Sequence, residues 1–370
     1  MKTLHKISLI LILFLCFKSA LAQEETAPKK DSVDAPTLLI NSGNVKCDSA
    51  EVHIKRKEKK IADKLYADAL KDYKKSLKLN KVQFAAYFRI GVVQNITGNY
   101  KDAIENLNLA IKTDTTHSEA YREKGIAEVA LQKMSEAKSD FTKAISLDVN
   151  DAASYYQRGM LAEHGRDKQP AFEDYESALE IKPNYPDVLF RRGMLLYNVK
   201  RDYILAIADF NKVTELDPEY MEAYFWKGKS YFSGEDYKST ERELTTYLQK
   251  DSSNVDALIM RGAARLNSND YSNAIRDFDD AINLDPKNYI ALTNRGLAKG
   301  QSRNVAGGLE DLDLAIKIKF DYSPAYINRA LVRYINKDRK GGCSDLRKAD
   351  GLNNAKAYEL IQKYCAELKK

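Results

Sequence analysis

The chain has 370 residues, 44% of them hydrophobic and 30% charged, with 59 Lys and Arg against 53 Asp and Glu. That is a globular balance, which excludes a disordered polyelectrolyte, and the length suits two ordinary domains or one long array. Lys2 and Lys6 precede an apolar run, Ile7–Phe17, and Ala20-Leu21-Ala22 reads as a small-residue cleavage site. Residues 1–22 are therefore expected to be a signal peptide, with Gln23 the mature start. Removing them takes away three lysines and no acid, so the net charge falls from +6 to +3 and gives no ground for expecting nucleic acid. Residues 23–49 are expected to be a disordered tail, since QEETAPKKDSVDAPT has mixed charge, two prolines and little apolar content.

From about Ala50 a period of 34 residues takes over. Gly91, Gly125, Gly159, Gly193, Gly228, Gly262, Gly296 and Ala330 recur at that interval, with one step of 35. A mid-helix glycine costs about 1 kcal/mol against alanine, so a repeated one implies close approach of a partner helix. A second series follows each registering residue: Ala274, Phe278 and Ala281 stand for the rest, and offsets of four and three put them on one helix face. Asn99, Asp202, Asp236, Asp270, Asn304 and Asp338 fall where they would cap the second helix. Three departures are expected to be looser or re-aimed: Lys57 at the small position of the first repeat, Thr240 in the sixth and Gly308 in the eighth. The pattern resembles the tetratricopeptide repeat, a helix–turn–helix unit of 34 residues that stacks into a solenoid. The resemblance implies an all-α, right-handed α-solenoid of about nine such repeats over residues 50–354, closed by a capping helix over 355–370.

Cys343 begins the last second helix and Cys365 lies near the end of the cap. Two antiparallel helices would bring those ends within reach of a disulfide, and Cys47 is left odd. The stretch from Gly342 to Cys365 is similar to the ends of secreted repeat proteins of the Bacteroidetes. With the leader, that similarity implies a Gram-negative envelope, periplasmic or at the outer membrane. The basic run Lys55–Lys60 reads as a solvated end of the array.

The sequence carries no glycine-rich phosphate loop, no H-E-x-x-H, no G-x-S-x-G and no C-x-x-C. His53, His117 and His164 lie in different repeats, so no catalytic group, metal or cofactor is expected. Asn95-Ile96-Thr97 matches a glycosylation triplet, and Asp279-Asp280 and Glu310-Asp311 read as solvated carboxylates. The family resemblance implies that first helices line a concave surface. Carried onto this chain, it implies a groove of Phe88, Arg89, Tyr156, Gln157, Met160, Phe190, Arg191, Met194, Tyr197, Phe225, Trp226, Phe232, Met260, Asn294 and Asn328. Aromatic and methionine side chains there would make large, adaptable contacts with a peptide or helix of a protein partner. The expected function is an exported interaction scaffold in an envelope complex, with peripheral envelope association, no nucleic acid and no spanning segment after cleavage. The alternative is a self-associating structural component, and a groove that takes a glycan or small ligand is a further rival.

Overall fold

The computed structural model describes residues 33–365, so the expected leader, tail residues 23–32 and residues 366–370 lie outside it. Among the described residues there are nineteen α-helices, one short π-helix and no strand. They form two compact units divided between Pro183 and Asn184. The first unit holds four hairpins: α1 (Ala35–Lys55) with α2 (Lys59–Leu79), α3 (Phe84–Ile96) with α4 (Tyr100–Thr113), α5 (Ser118–Ala130) with α6 (Met134–Leu147), and α7 (Ala152–Ala162) with α8 (Gln169–Ile181). The second holds five and a closing helix: α9 (Pro186–Leu195) with α10 (Tyr203–Leu216), α11 (Met221–Ser233) with α12 (Tyr237–Leu248), α13 (Val255–Asn267) with α14 (Tyr271–Leu284), α15 (Tyr289–Gln301) with α16 (Val305–Ile318), α17 (Ser323–Ile335) with α18 (Arg339–Asp350), then α19 (Ala355–Tyr364). Within each unit the helices of a hairpin pack on each other and the second helix packs on the next first helix, which is the stacking of a helical solenoid.

The small residues mark where a large side chain is seated. A Cβ placed on Gly262 would lie 2.7 Å from the Phe278 ring, and Ala274, Phe278 and Ala281 are fully buried. After most first helices one residue turns the chain through positive φ, at Gly98 and Gln132 in the first unit and at Arg201, Glu235, Asn269, Arg303 and Lys337 in the second. An acid or amide then caps the second helix: Asp202, Asp236, Asp270, Asn304 and Asp338 each accept a backbone N–H three residues on. Asn99 does not, because its amide donates to the Thr97 hydroxyl instead, at 3.0 Å.

Four expectations need correction. Residues 33–49 are not a disordered tail, since α1 covers them from Ala35 onward. The small residue facing Tyr73 is Gly43, where a Cβ would lie 2.4 Å from the ring. Lys57 instead makes the turn, at φ 62. Both arms of the first hairpin run about two turns longer than elsewhere, and the core pattern is repeated seven residues away: Ala50, Ala62 and Tyr66 are as buried as Ala69 and Tyr73. Gly308 is a tight place rather than a loose one, because a Cβ there would come 2.7 Å from the Gly296 carbonyl oxygen. Thr240 is no looser: it is fully buried and its hydroxyl donates to the Asp236 carbonyl at 2.8 Å.

The step of 35 residues has a local cause. One extra residue in the first helix of the fifth repeat is taken up by a π turn, Leu196–Lys200, before Arg201 turns the chain. At the other end, α19 packs Ala357 into a core with Leu346 and Ala349, and a disulfide joins Cys343 to Cys365 with their Cα atoms 5.8 Å apart.

Candidate interaction surface

Several first helices of consecutive repeats touch: α1 with α3 and α3 with α5 in the first unit, and α11 with α13, α13 with α15 and α15 with α17 in the second. The expected groove residues divide into two lines. In the first line only Tyr156 is buried, while Phe88, Phe190 and Phe225 are half-buried and pack on their neighbours. Tyr156 is 1% exposed, Phe190 packs on Phe210 and Tyr220 with ring centroids 5.8 and 5.0 Å apart, and Phe225 packs on Tyr247 at 5.3 Å. Phe88 packs with Ala103, Leu107 and Ala127 of its neighbours. Tyr197 is also buried, its hydroxyl 3.0 Å from that of Ser233, and Phe232 leans edge-on against Tyr237 of its own hairpin.

The next position round the helix stays half-buried. In the first unit it carries Arg89 and Gln157, with Met160 a turn on. In the second unit it carries Arg191, Trp226, Met260, Asn294 and Asn328, with Met194 a turn on from Arg191. Trp226 meets Tyr197 edge-on at 5.5 Å, and the Lys229 ammonium sits 4.5 Å from its ring centroid. A cation over an indole is held by the ring's quadrupole, so Lys229 both fixes the ring and adds positive charge beside it.

The first unit places buried charge on the same side. Arg122 donates to Asp151, which also caps α7 by accepting from Ala153 and Ser154. Burial works against the Arg122 charge, and the Asp151, Glu123 and Glu119 carboxylates together outweigh it, raising the guanidinium above its ordinary value. Next to it, Asn95 donates to the Glu123 carboxylate at 3.1 Å, and burial pushes the Glu123 carboxyl up. Asn95 is 1% exposed, which removes it as an accessible glycosylation acceptor. Arg89 lines a cavity of about 140 Å³ with Asn44, Cys47 and Tyr73. Cys47 is thus part of a helix rather than a tail, and burial raises its thiol.

Sequence reasoning missed one feature, an ion-pair ladder. From the third repeat on, the residue before each registering position is Lys124, Arg158, Arg192, Lys227, Arg261, Arg295 or Arg329, and the residue before each large seated side chain is Asp140, Asp174, Asp209, Glu243, Asp277, Asp311 or Asp345; the second repeat has Ile90 and Asn106 there. They pair within their hairpins, as Arg261 does to Asp277 through two bonds of 3.1 and 2.6 Å. Several arginines also reach the preceding hairpin: Arg295 to Asp279 and Arg329 to Asp313. Asp311 is accordingly buried, not solvated. Burial pushes the Asp209 and Asp277 carboxyls up despite their arginines. The third repeat departs, with Glu128 buried beside Asp140 and Lys124. Burial first, and then the Asp140 charge, pushes its carboxyl up to about 7. Among the described residues no cluster of three or more His, Cys, Asp or Glu could hold a metal, and no helix is long and apolar enough to cross a membrane.

No curated protein matches the chain. Among solved structures, the C-terminal part of a TPR repeat-containing protein from Cytophaga hutchinsonii is 19% identical, with a TM-score of 0.50 over 67% of this chain and 98% of that one. At that identity the likeness is one of fold. YrrB, described as a TPR protein with an unusual peptide-binding site, is 25% identical over 50% of this chain and 95% of its own, with a TM-score of 0.47. Pseudomonas aeruginosa pilF is 15% identical over 57% of this chain and 92% of its own, with a TM-score of 0.48. The tetratricopeptide repeat model matches residues 63–117, 122–186 and 259–324, half of the sequence. With that match and the hairpin stack above, the chain belongs to the tetratricopeptide repeat family.

Proposed function

We propose that this protein, a protein-interaction scaffold by family, holds an extended peptide or a helix of its partner on the half-buried line of its first helices. The observation that carries this reading is the run Trp226, Met260, Asn294 and Asn328 on four consecutive first helices of the second unit, all of them half-buried. An indole and a thioether supply apolar contact, and two amides one repeat apart can bond a peptide backbone. The work is binding rather than turnover. The place of work is the envelope of a Gram-negative cell, a reading supported by the leader at residues 1–22 and by the likeness of the chain's end to secreted proteins.

The test compares the native protein with Trp226→Ala/Met260→Ala as baits on the envelope fraction of the organism that makes it, followed by titration of the captured partner. Loss of an aromatic anchor of this kind weakens binding by about 2 kcal/mol, some thirtyfold. Equal capture by both forms, with melting of the variant unchanged, refutes the line as the working surface. A second reading, self-association, has its own observation. Leu38, Val45 and Val52 are exposed at seven-residue steps on α1, which has no repeat before it among the described residues. Light scattering decides it: a mass that rises with concentration and falls back in Val45→Lys favours self-association, and a constant monomer mass removes it.

A further inference from the structure

The fifth hairpin departs from the others twice in one place. The two positions before the small residue of each second helix are Lys101-Asp102, Ser135-Glu136, Gln169-Pro170, Lys238-Ser239, Ser272-Asn273, Ala306-Gly307 and Lys340-Gly341 in seven repeats. In the fifth they are Ile204-Leu205, and Ile204 is 80% exposed and Leu205 53%. Val199, in the π turn that absorbs the extra residue, is 48% exposed. Lys200 and Arg201 stand between them on the surface, and Arg201 makes the positive-φ turn. Asp202, next in the chain, caps α10 by accepting from the Leu205 backbone.

We propose that this hairpin tip is a peripheral docking element for an anionic bilayer. Ile204, Leu205 and Val199 enter the boundary between headgroups and acyl chains, while Lys200 and Arg201 meet lipid phosphates. Three observations favour lipid over a protein. The apolar groups project from a turn rather than lining a groove, and a bilayer receives a protrusion without needing a preformed pocket. Three side chains fall short of the area that a stable protein interface needs. The cations beside them match an anionic surface, whose attraction grows with each Lys or Arg close to it. The tip shares no residue with the partner-binding line, so its failure leaves that reading untouched.

The experiment is co-sedimentation of the protein, purified as its own host makes it, with vesicles of phosphatidylcholine alone or of phosphatidylcholine and phosphatidylglycerol in equal parts. The native form is expected to partition more strongly to the anionic vesicles. Ile204→Ser/Leu205→Ser should cut that partition by about tenfold or more, and Lys200→Gln/Arg201→Gln by about fivefold for each charge removed. Lys238→Gln, on the neighbouring tip without apolar residues, should change nothing. All these positions are exposed, so thermal melting should stay native. Absence of binding to anionic vesicles overturns the proposal. Binding that survives Ile204→Ser/Leu205→Ser also overturns it and moves the membrane contact to another surface. A tip that ignores vesicles and instead retains a protein in pull-down overturns it in favour of a protein interface.

Discussion

At the scale of single residues, most of the charge in this chain serves the stack. A guanidinium or ammonium before the small residue and a carboxylate before the large one lock each hairpin from the third on at the point of closest approach, and an acid left alone at such depth would be costly. Repeat three breaks the rule by adding Glu128, so its carboxyl is held near a pKa of about 7 instead of 4.5. The folded form binds a proton there that the unfolded form releases above about 4.5. Stability is therefore full below that pH, falls as pH rises towards 7, and is level above it. Glu128→Gln keeps the shape and removes the charge, so its stability should no longer fall across that window. At pH 8 it should exceed the native form by roughly 2 kcal/mol. Urea unfolding at a series of pH values checks this, and parallel curves for the two forms would contradict it. The ladder itself was legible, because both its rows repeat with the glycines. It was overlooked because a charge beside a glycine reads as surface until the partner helix is placed over it.

At the scale of elements, the interval of 34 residues carried nearly all the information. It located the second helices, the seated large residues and five of six caps. It failed where the interval itself is broken. The first hairpin places Gly43 and Tyr73 thirty residues apart instead of sixteen, because seven residues are added to each arm. Seven residues are close to two turns, so every apolar residue keeps its face and the helices simply grow. A search at one fixed spacing then lands on Lys57 and reads α1 as tail. The single-residue insertion in repeat five changes the outcome differently. One residue cannot be added to an α-helix without rotating every later side chain about the axis, and the π turn takes it up locally. Among the expected groove residues, Tyr156 and Tyr197 are buried. Neighbouring positions on a helix differ by about 100°, yet Phe190 and Phe225 on one line and Trp226 on the next are all half-buried.

At the scale of the molecule, the consequence of stacking is that each hairpin is held by its neighbours and by little else. Among the described residues the first hairpin has a neighbour on one side only, and α2 meets α3 through a core that includes Ile90 and Val93. Damage there should stay there. Gly43→Leu drives a side chain into the Tyr73 ring, so α1 and α2 must separate or shift. Nothing in the second unit depends on that contact. Hydrogen exchange read by mass spectrometry should show lost protection across residues 35–79, a smaller loss in α3, and unchanged protection from α13 to α18. The same substitution logic at Gly262, in the middle of five hairpins, should spread loss to both sides of α13, because two interfaces lean on the Phe278 seat rather than one. Uniform loss along the whole chain from Gly43→Leu would mean that the hairpins fold as one cooperative body, and that nearest-neighbour stacking is the wrong description of how this scaffold holds its surface in place.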